Sequence, residues 1–283
     1  MDLSAAKLDA FIKTIWEQGR ELYRDLPWRN TYDPYAILLS EVMLQQTQVS
    51  RVMGRWEQWL DTFPTITELA AAPLPPVLEL WQGMGYNRRA LNLKRCAEEV
   101  VAIHDGVIPS DKKALLALPG IGPSTSAGVR IFAFQQPDMY LETNVRAVFI
   151  HEFFGEHEVV SDKQLVPLVE MACPQDACVR DWYYALLDYG AYLKKTMANP
   201  TRKSKHYTRQ SKFEGSHRQK RAYLLRRVID DGLTSEELLR DLAHSEREAG
   251  REEPSPEEVE AILAELEREG FIMRQGDVWL CAE

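Results

Sequence analysis

Cysteine is scarce in this 283-residue chain: the four thiols are Cys96, Cys173, Cys178 and Cys281. Only Cys173 and Cys178 are close in sequence, and no CxxC or HxxxH pattern accompanies them. A zinc site or an iron–sulfur cluster needs several ligands in short-spaced sets, so the cysteines read as buried or incidental thiols and no metal is expected. Long apolar runs are missing as well. None approaches the roughly 20 residues of a membrane span, and Met1 to Lys13 lacks the basic start and apolar run of a signal peptide. An intracellular, cytoplasmic protein with no membrane partner is the expectation. Period-two alternation is also rare before the last few residues, which points to a mainly α protein.

Positive charge is short overall. The net charge is −9, which at first argues against a nucleic-acid partner. The distribution reverses that argument. Residues 231–283 carry 16 acids and 5 bases, whereas residues 1–230 carry 27 acids and 29 bases. Within 194–227 there are 12 bases, among them Lys203, Lys205 and Arg209, against the single acid Glu214. Phosphate contacts depend on local potential, so this stretch could meet DNA inside an acidic protein; a solvated basic linker is the plainer alternative.

Helical spacing of apolar residues runs through most of the chain. Leu8, Phe11, Ile12, Ile15, Trp16 and Leu22 mark a helix within 5–24, and Asp33-Pro34 suits the start of one over Tyr35 to Gln48. Further helices are predicted near 50–62, 66–71, 74–83, 87–104, 111–117, 124–135, 143–154, 162–171 and 178–193. Residues 1–193 are thus read as a helical domain in two lobes. Residues 194–215 are read as a basic linker or DNA-facing loop. Residues 216–283 are read as a small acidic domain, with helices at about 217–231, 234–243 and 255–269. Two short extended runs, 271–274 and 277–281, follow them. Three helices and a terminal hairpin resemble a winged helix.

Three constellations carry chemistry. In Leu118-Pro119-Gly120-Ile121-Gly122-Pro123-Ser124-Thr125, two glycines allow a tight turn whose bare N–H groups, with the next helix N-terminus, can grip a phosphate. By itself GxG is equally an ordinary helix–helix turn; with the leading Leu-Pro and the following Ser-Thr the pattern is a helix-hairpin-helix. In the run Leu39 to Gln48, Glu41 sits among Leu38, Leu39, Val42 and Met43. A carboxyl in such surroundings can hold a proton near neutral pH and give it to a departing base; alone it could equally be a solvent-facing acid. In Leu141-Glu142-Thr143-Asn144-Val145-Arg146, Glu142 could be an ordinary acid at a helix start. It could also be a second carboxylate that stabilises a cationic sugar, the two-carboxylate logic of glycoside hydrolysis.

Together these runs resemble the helix-hairpin-helix DNA glycosylases, and within them the MutY-like adenine glycosylases. The resemblance begins at Leu26-Pro27-Trp28-Arg29-Asn30 and continues through Asp33-Pro34-Tyr35 and the 40–48 run. It includes Phe63-Pro64-Thr65 and Trp81-Gln82-Gly83-Met84-Gly85-Tyr86, takes in the hairpin and Asn144-Val145, and ends near Leu187-Asp188-Tyr189-Gly190-Ala191. It implies Glu41 as the acid that protonates adenine N7, with Glu142 as its partner. Trp28, Arg29, Ser124, Asn144 and Asp188 would line the base pocket. Gln45, Gln46 and Thr47 would face the gap and the partner base, Tyr86 would belong to an intercalating turn, and Gly120, Ile121, Gly122, Ser124 and Thr125 would hold the backbone. Lys203, Lys205 and Arg209 join this DNA-binding set from the basic stretch.

The chain departs from the family in three places. Glu142-Thr143 stands where relatives carry Asp-Gly, and the added methylene moves the carboxylate by about 1.5 Å, a displacement able to change rate by about a hundredfold. Relatives carry four cluster-binding cysteines after Gly-Ala, whereas this chain has Lys194 at the first of these positions and no cysteine through 194–280; a clusterless member without cofactor is expected. The acidic tail is short for a domain that recognises 8-oxoguanine. Ser124 stands where lyase-active relatives have a Schiff-base lysine, which implies base removal without an efficient strand-cutting step. The expected function is therefore a monofunctional, monomeric glycosylase acting on duplex DNA that carries a mismatched adenine. A glycosylase for another base and a non-catalytic DNA-binding protein are the alternatives.

Overall fold

The computed structural model describes residues 4–155, 157–176, 178–208 and 212–282. Arg209, one of the candidate DNA contacts, lies outside them. The helices in chain order are α1 (Ala5–Glu21), α2 (Pro34–Leu44), α3 (Val49–Val52), α4 (Arg55–Thr62), α5 (Ile66–Ala71), α6 (Leu74–Trp81), α7 (Arg88–His104), α8 (Lys112–Ala117), α9 (Pro123–Phe132), α10 (Thr143–Phe153), α11 (Asp162–Ala172), α12 (Val179–Thr196), α13 (His217–Asp230), α14 (Ser235–Glu248) and α15 (Pro256–Glu269). Short 3-10 turns occupy Pro27–Arg29 and Pro200–Lys203. The strands are β1 (Leu233–Thr234), β2 (Ile272–Gln275) and β3 (Val278–Cys281). No helix among the described residues is long and apolar enough to cross a membrane.

The predicted helices are present, with one correction that matters for function. The helix expected over Tyr35 to Gln48 ends at Leu44. Its start is as read: the Asp33 side chain accepts from the N–H groups of Tyr35 and Ala36, and Pro34 fills the first position, where its missing N–H is harmless. Its end comes early because Gln46 takes a left-handed backbone, φ 52°, which no helix can propagate. Gln45 to Gln48 therefore form a turn. The helix expected over 50–62 is likewise broken, by Gly54 at φ 76°, into α3 and α4.

The chain forms two compact units, each built from two separate stretches: residues 1–45 with 107–209, and residues 46–106 with 210–283. In the first, α10 and α12 pack extensively on each other and α1 packs on α12. Phe11, Phe149, Phe153 and Trp182 form an aromatic centre with ring centroids 4.9 to 6.1 Å apart. Gly19 lets α1 approach closely, since a methyl there would lie 2.4 Å from Ala185 Cβ. The tail of this unit is pinned rather than loose. Val160 donates to the Lys203 carbonyl at 2.7 Å and accepts from the Lys205 N–H at 2.8 Å.

In the second unit, α4 to α7 pack around Trp59 and Trp81, whose rings meet edge-on at 5.5 Å. The 217–281 stretch has the helix–strand–helix–helix–hairpin order of a winged helix, with a three-stranded antiparallel sheet ordered β1-β3-β2. Strand β1 was not legible in the sequence because it is two residues long. Leu224, Leu238, Leu242, Ile262, Leu263, Leu266, Phe271 and Trp279 fill its core.

Candidate active site

Helix α2 carries Glu41 against α9, and the approach is possible only because α9 has a glycine at the contact. A methyl added to Gly128 would lie 2.1 Å from Glu41 Oε2. Tyr140, in the extended segment before α10, donates its hydroxyl to the same oxygen at 3.0 Å. The Glu41 side chain is only partly accessible, and burial raises its pKa to about 8, opposed by the Tyr140 hydrogen bond and reinforced by the charge of Glu142. The carboxyl therefore keeps its proton at neutral pH.

Glu142 caps α10. Its Oε1 accepts the N–H of Asn144 at 2.6 Å and of Val145 at 3.1 Å. Burial pushes its pKa up as well, but Lys194 and the cap N–H groups pull it back. Lys194 reaches this place through helix packing. Gly190 of α12 lies so close to the start of α10 that a Cβ would come within 2.2 Å of the Asn144 carbonyl oxygen, and Lys194 follows one helical turn later on the same face. Burial in turn lowers the pKa of Lys194, an effect that the charge of Glu142 opposes. The two carboxyls, far apart in sequence, thus share one electrostatic environment: burial raises the pKa of both, the charge of Glu142 raises that of Glu41 further, and Lys194 with the cap N–H groups favours the charged form of Glu142. Such a difference in surroundings is the arrangement that lets one acid donate while the other stabilises positive charge.

Arg29 and Asp188, both expected to line a base pocket, are bound to each other. Arg29 Nη1 and Nη2 each donate to the Asp188 carboxylate at 2.7 Å, with both side chains buried. Arg24 adds Nε to Asp188 Oδ1 at 2.6 Å. The Arg29 guanidinium also lies over the ring of Tyr184 at 4.3 Å, and Tyr184 stacks on Phe132. Arg29 Nε and Asn144 Oδ1 are buried without a hydrogen-bond partner. Trp28 is buried beside this network.

The hairpin is formed as read: α8, a turn with Gly120 at φ 75°, then α9. Ile121 is buried, and its N–H donates to the Leu118 carbonyl at 3.2 Å. Gly122 caps α9, Ser124 is exposed in the first turn, and Thr125 is buried and accepts from Gln45 Nε2 at 3.0 Å. In the second unit, Arg89 Nη2 ties Thr47 Oγ1 and the Gly85 carbonyl together, each at 3.0 Å, so Gln46-Thr47 and the turn that ends at Tyr86 form one surface. The Lys203 ammonium is engaged by the Gly155 carbonyl, and Lys205 is exposed.

Sequence reasoning missed Tyr140, Gly128, Tyr184 and Arg24. Tyr140 had a usable signal: it stands two residues before Glu142, and extended backbone puts such a pair on one side. Gly128 had none, since a glycine within a helical pattern does not show what approaches it.

The stretch after Gly190-Ala191 offers no set of thiolates for a four-cysteine cluster: no cysteine lies from 179 to 280, and the charge of Lys194 acts on Glu142. Among the described residues no group of His, Cys, Asp or Glu could hold a metal ion.

Comparison with known proteins finds relatives among base excision DNA repair proteins. The pattern of the HhH-GPD superfamily of base excision DNA repair proteins matches residues 39–174. The chain is 39% identical over 169 residues to the adenine DNA glycosylase of Mycolicibacterium smegmatis, across 59% of this chain and 58% of that protein. It is 31% identical over 198 residues to the thymine/uracil-DNA glycosylase of Methanothermobacter thermautotrophicus, across 68% of this chain and 88% of that protein. The solved structure of a thermostable thymine-DNA glycosylase superposes with a TM-score of 0.61 at 29% identity, over 67% of this chain and 88% of that one. The match spans 58% of the mycolicibacterial adenine glycosylase and 44% of the one from Mycobacterium tuberculosis, about half the length of the curated relatives matched first.

Proposed function

Because the chain belongs to the HhH-GPD superfamily of base excision DNA repair proteins, we propose that it is a monofunctional DNA glycosylase. It hydrolyses the N-glycosidic bond of an adenine flipped from duplex DNA, where that adenine stands opposite 8-oxoguanine or guanine. The observation that carries this is the carboxyl pair: Glu41, whose pKa burial pushes up to about 8, beside Glu142, whose charged form Lys194 and the N–H groups of α10 favour.

The proposed steps use the two carboxyls in turn. Unstacking the base costs a few kcal/mol, returned by pocket contacts. Glu41 delivers its proton to N7, the C1′–N9 bond breaks with its electrons moving into the purine, and positive charge develops on the sugar. Glu142 stabilises that charge until water adds at C1′, and the proton that water sheds returns the Glu41 carboxylate to its acid form. The hairpin N–H groups at Gly120 to Gly122 and the start of α9 suit a phosphate of the backbone. Ser124 offers no amine at the hairpin, which supports hydrolysis without strand cutting. The protein acts as a monomer and needs no cofactor.

A second reading has support in the Methanothermobacter relative, a thymine/uracil-DNA glycosylase that this chain covers to 88%. A proton held on Glu41 favours a leaving base made better by protonation, and the adenine glycosylases are matched at higher identity, so adenine is preferred. A panel of labelled duplexes with A opposite 8-oxoguanine, G and C, and with T, U and hypoxanthine, decides the matter. Abasic sites formed at A and abolished by Glu41→Gln support adenine. Cleavage confined to T or U supports the second reading. Tight binding with no cleavage of any duplex would reduce the chain to a DNA-binding protein.

A further inference from the structure

The winged helix at the C-terminus has no part in the chemistry above, and its arrangement differs from that of a DNA-reading one. In a helix-turn-helix the second helix of the motif enters the major groove. Here that helix is α15, and it exposes Glu257, Glu260 and Glu267, charges that repel phosphate. Two bases of α13 pair with this acidic helix. Lys220 pairs with Glu258 at 2.7 Å, and Arg221 donates to Glu269 Oε1 at 2.9 Å.

The start of α13 faces elsewhere. Arg218 Nη1 donates to the hydroxyl of Tyr86 at 3.2 Å. Tyr86 ends the turn after α6, where Gly83, Gly85 and Tyr86 all have positive φ, 81°, 75° and 51°; for a bulky residue that conformation persists only when its surroundings impose it. They do. Trp81 Nε1 donates to the Gly85 carbonyl at 3.1 Å, Arg89 donates to the same carbonyl at 3.0 Å, and the Arg89 guanidinium lies 5.7 Å from the Tyr86 ring centre. The small domain is latched beside this turn through Glu269, which takes Arg88 at 2.6 Å on its carboxylate and Arg95 at 3.1 Å on its carbonyl.

We propose that the C-terminal domain serves DNA through the start of α13 rather than through α15. Arg218 and Tyr86 form one contact unit, in which the guanidinium fixes the exposed aromatic ring and meets the phosphodiester flanking the disturbed base pair. The inference rests on the glycosylase reading, because Tyr86 is useful as a wedge only if a base is extruded. It gives a fused domain of the wrong charge a reason to be there: the acids of α15 hold α13 in place, and one arginine at the start of α13 does the binding.

The test uses the full chain and a duplex that carries a tetrahydrofuran abasic analogue opposite guanine, which binds without being cut. Affinity is measured against salt for the wild type, Arg218→Ala, Tyr86→Phe and the double variant. Arg218→Ala is expected to reduce the salt slope by about one and weaken binding roughly tenfold. The double variant is expected to lose less than the sum of the single losses, since each breaks the same contact. Glu257→Lys with Glu260→Lys is expected to leave affinity unchanged. An unchanged slope in Arg218→Ala, strict additivity of the two singles, or markedly tighter binding from the charge reversal on α15 would each overturn the proposal. A wild type that binds this duplex yet excises no base would sink the glycosylase reading and leave the Arg218 titration still interpretable.

Discussion

The hydroxyl of Tyr140 donates 3.0 Å to Oε2 of Glu41, the same oxygen that rests against the backbone of Gly128. Burial raises the Glu41 pKa and this bond lowers it. Removing the bond therefore raises it further. In Tyr140→Phe the alkaline limb of the single-turnover rate, set near pH 8 in the wild type, is expected to move to higher pH while the plateau falls because the carboxyl is less well held. A limb that stays put or moves down would show that Tyr140 does not tune the acid.

Glu41→Gln is expected to lower excision by about a thousandfold, within the range of general acid catalysis, with binding to the abasic-analogue duplex retained. It also changes stability with a defined sign. Glu41 titrates at about 8 in the folded chain against 4.5 as its ordinary value. The folded state therefore holds the extra proton between those limits and loses stability as pH rises through them, by at most about 1.4 kcal/mol per pH unit. Melting temperatures of the variant and wild type should converge near pH 4.5 and separate in favour of the variant by pH 8; equal melting curves at pH 8 would contradict the burial of a neutral carboxyl.

Gly128→Ala places a methyl where Glu41 Oε2 now lies. Alanine favours a helix over glycine by about 1 kcal/mol, so the fold should survive. The displaced acid should lower the rate by at least about a hundredfold. A rate within a few-fold of wild type would mean that the carboxyl acts from another position.

Lys194 lowers the pKa of Glu142. Lys194→Met should therefore raise it, and since the proposed mechanism uses Glu142 in its charged form, the acidic limb of the pH–rate profile should move to higher pH. Lys194→Arg should restore it. Glu142→Asp keeps the cap and the charge and is expected to keep or raise activity on adenine; complete loss would show that this site requires the longer side chain.

Asp188→Asn strands the buried guanidinium of Arg29, whose Nη1 and Nη2 both bond to the carboxylate. Breaking a buried pair from one side destabilises by about 3–5 kcal/mol, readable as a lower urea midpoint. A loss under about 1 kcal/mol, the scale of an exposed pair, would show that water reaches this network.

Much of the fold was legible because it is helical and amphipathic: the Asp33-Pro34 start, the Gly120-Ile121-Gly122 hairpin and the Phe271–Cys281 hairpin all declare themselves locally. Both carboxyls were legible too, through apolar neighbours for Glu41 and a helix start for Glu142. What stayed hidden depends on contacts between distant segments. Nothing near Gly128 or Gly190 reveals the side chain or backbone that each admits. Arg29 and Asp188 could be assigned to a pocket by pattern, but only packing shows that they satisfy one another. The basic run from 194 to 227 looked like one electrostatic feature. The structure divides it, since Lys220, Arg221 and Arg227 of α13 answer acids of α14 and α15, Arg218 turns to Tyr86, and Lys203 serves the Gly155 carbonyl.

Glu142 begins a helix by taking two backbone N–H groups on a single carboxylate oxygen. A side chain tethered at its tip has almost no rotamer entropy left to lose when charge appears in front of it, so its dipolar response is already in place before the bond begins to stretch. The same tether joins catalysis to folding: any mutation that frays the first turn of α10 will also blunt the enzyme, and the two losses will be inseparable in a thermal scan.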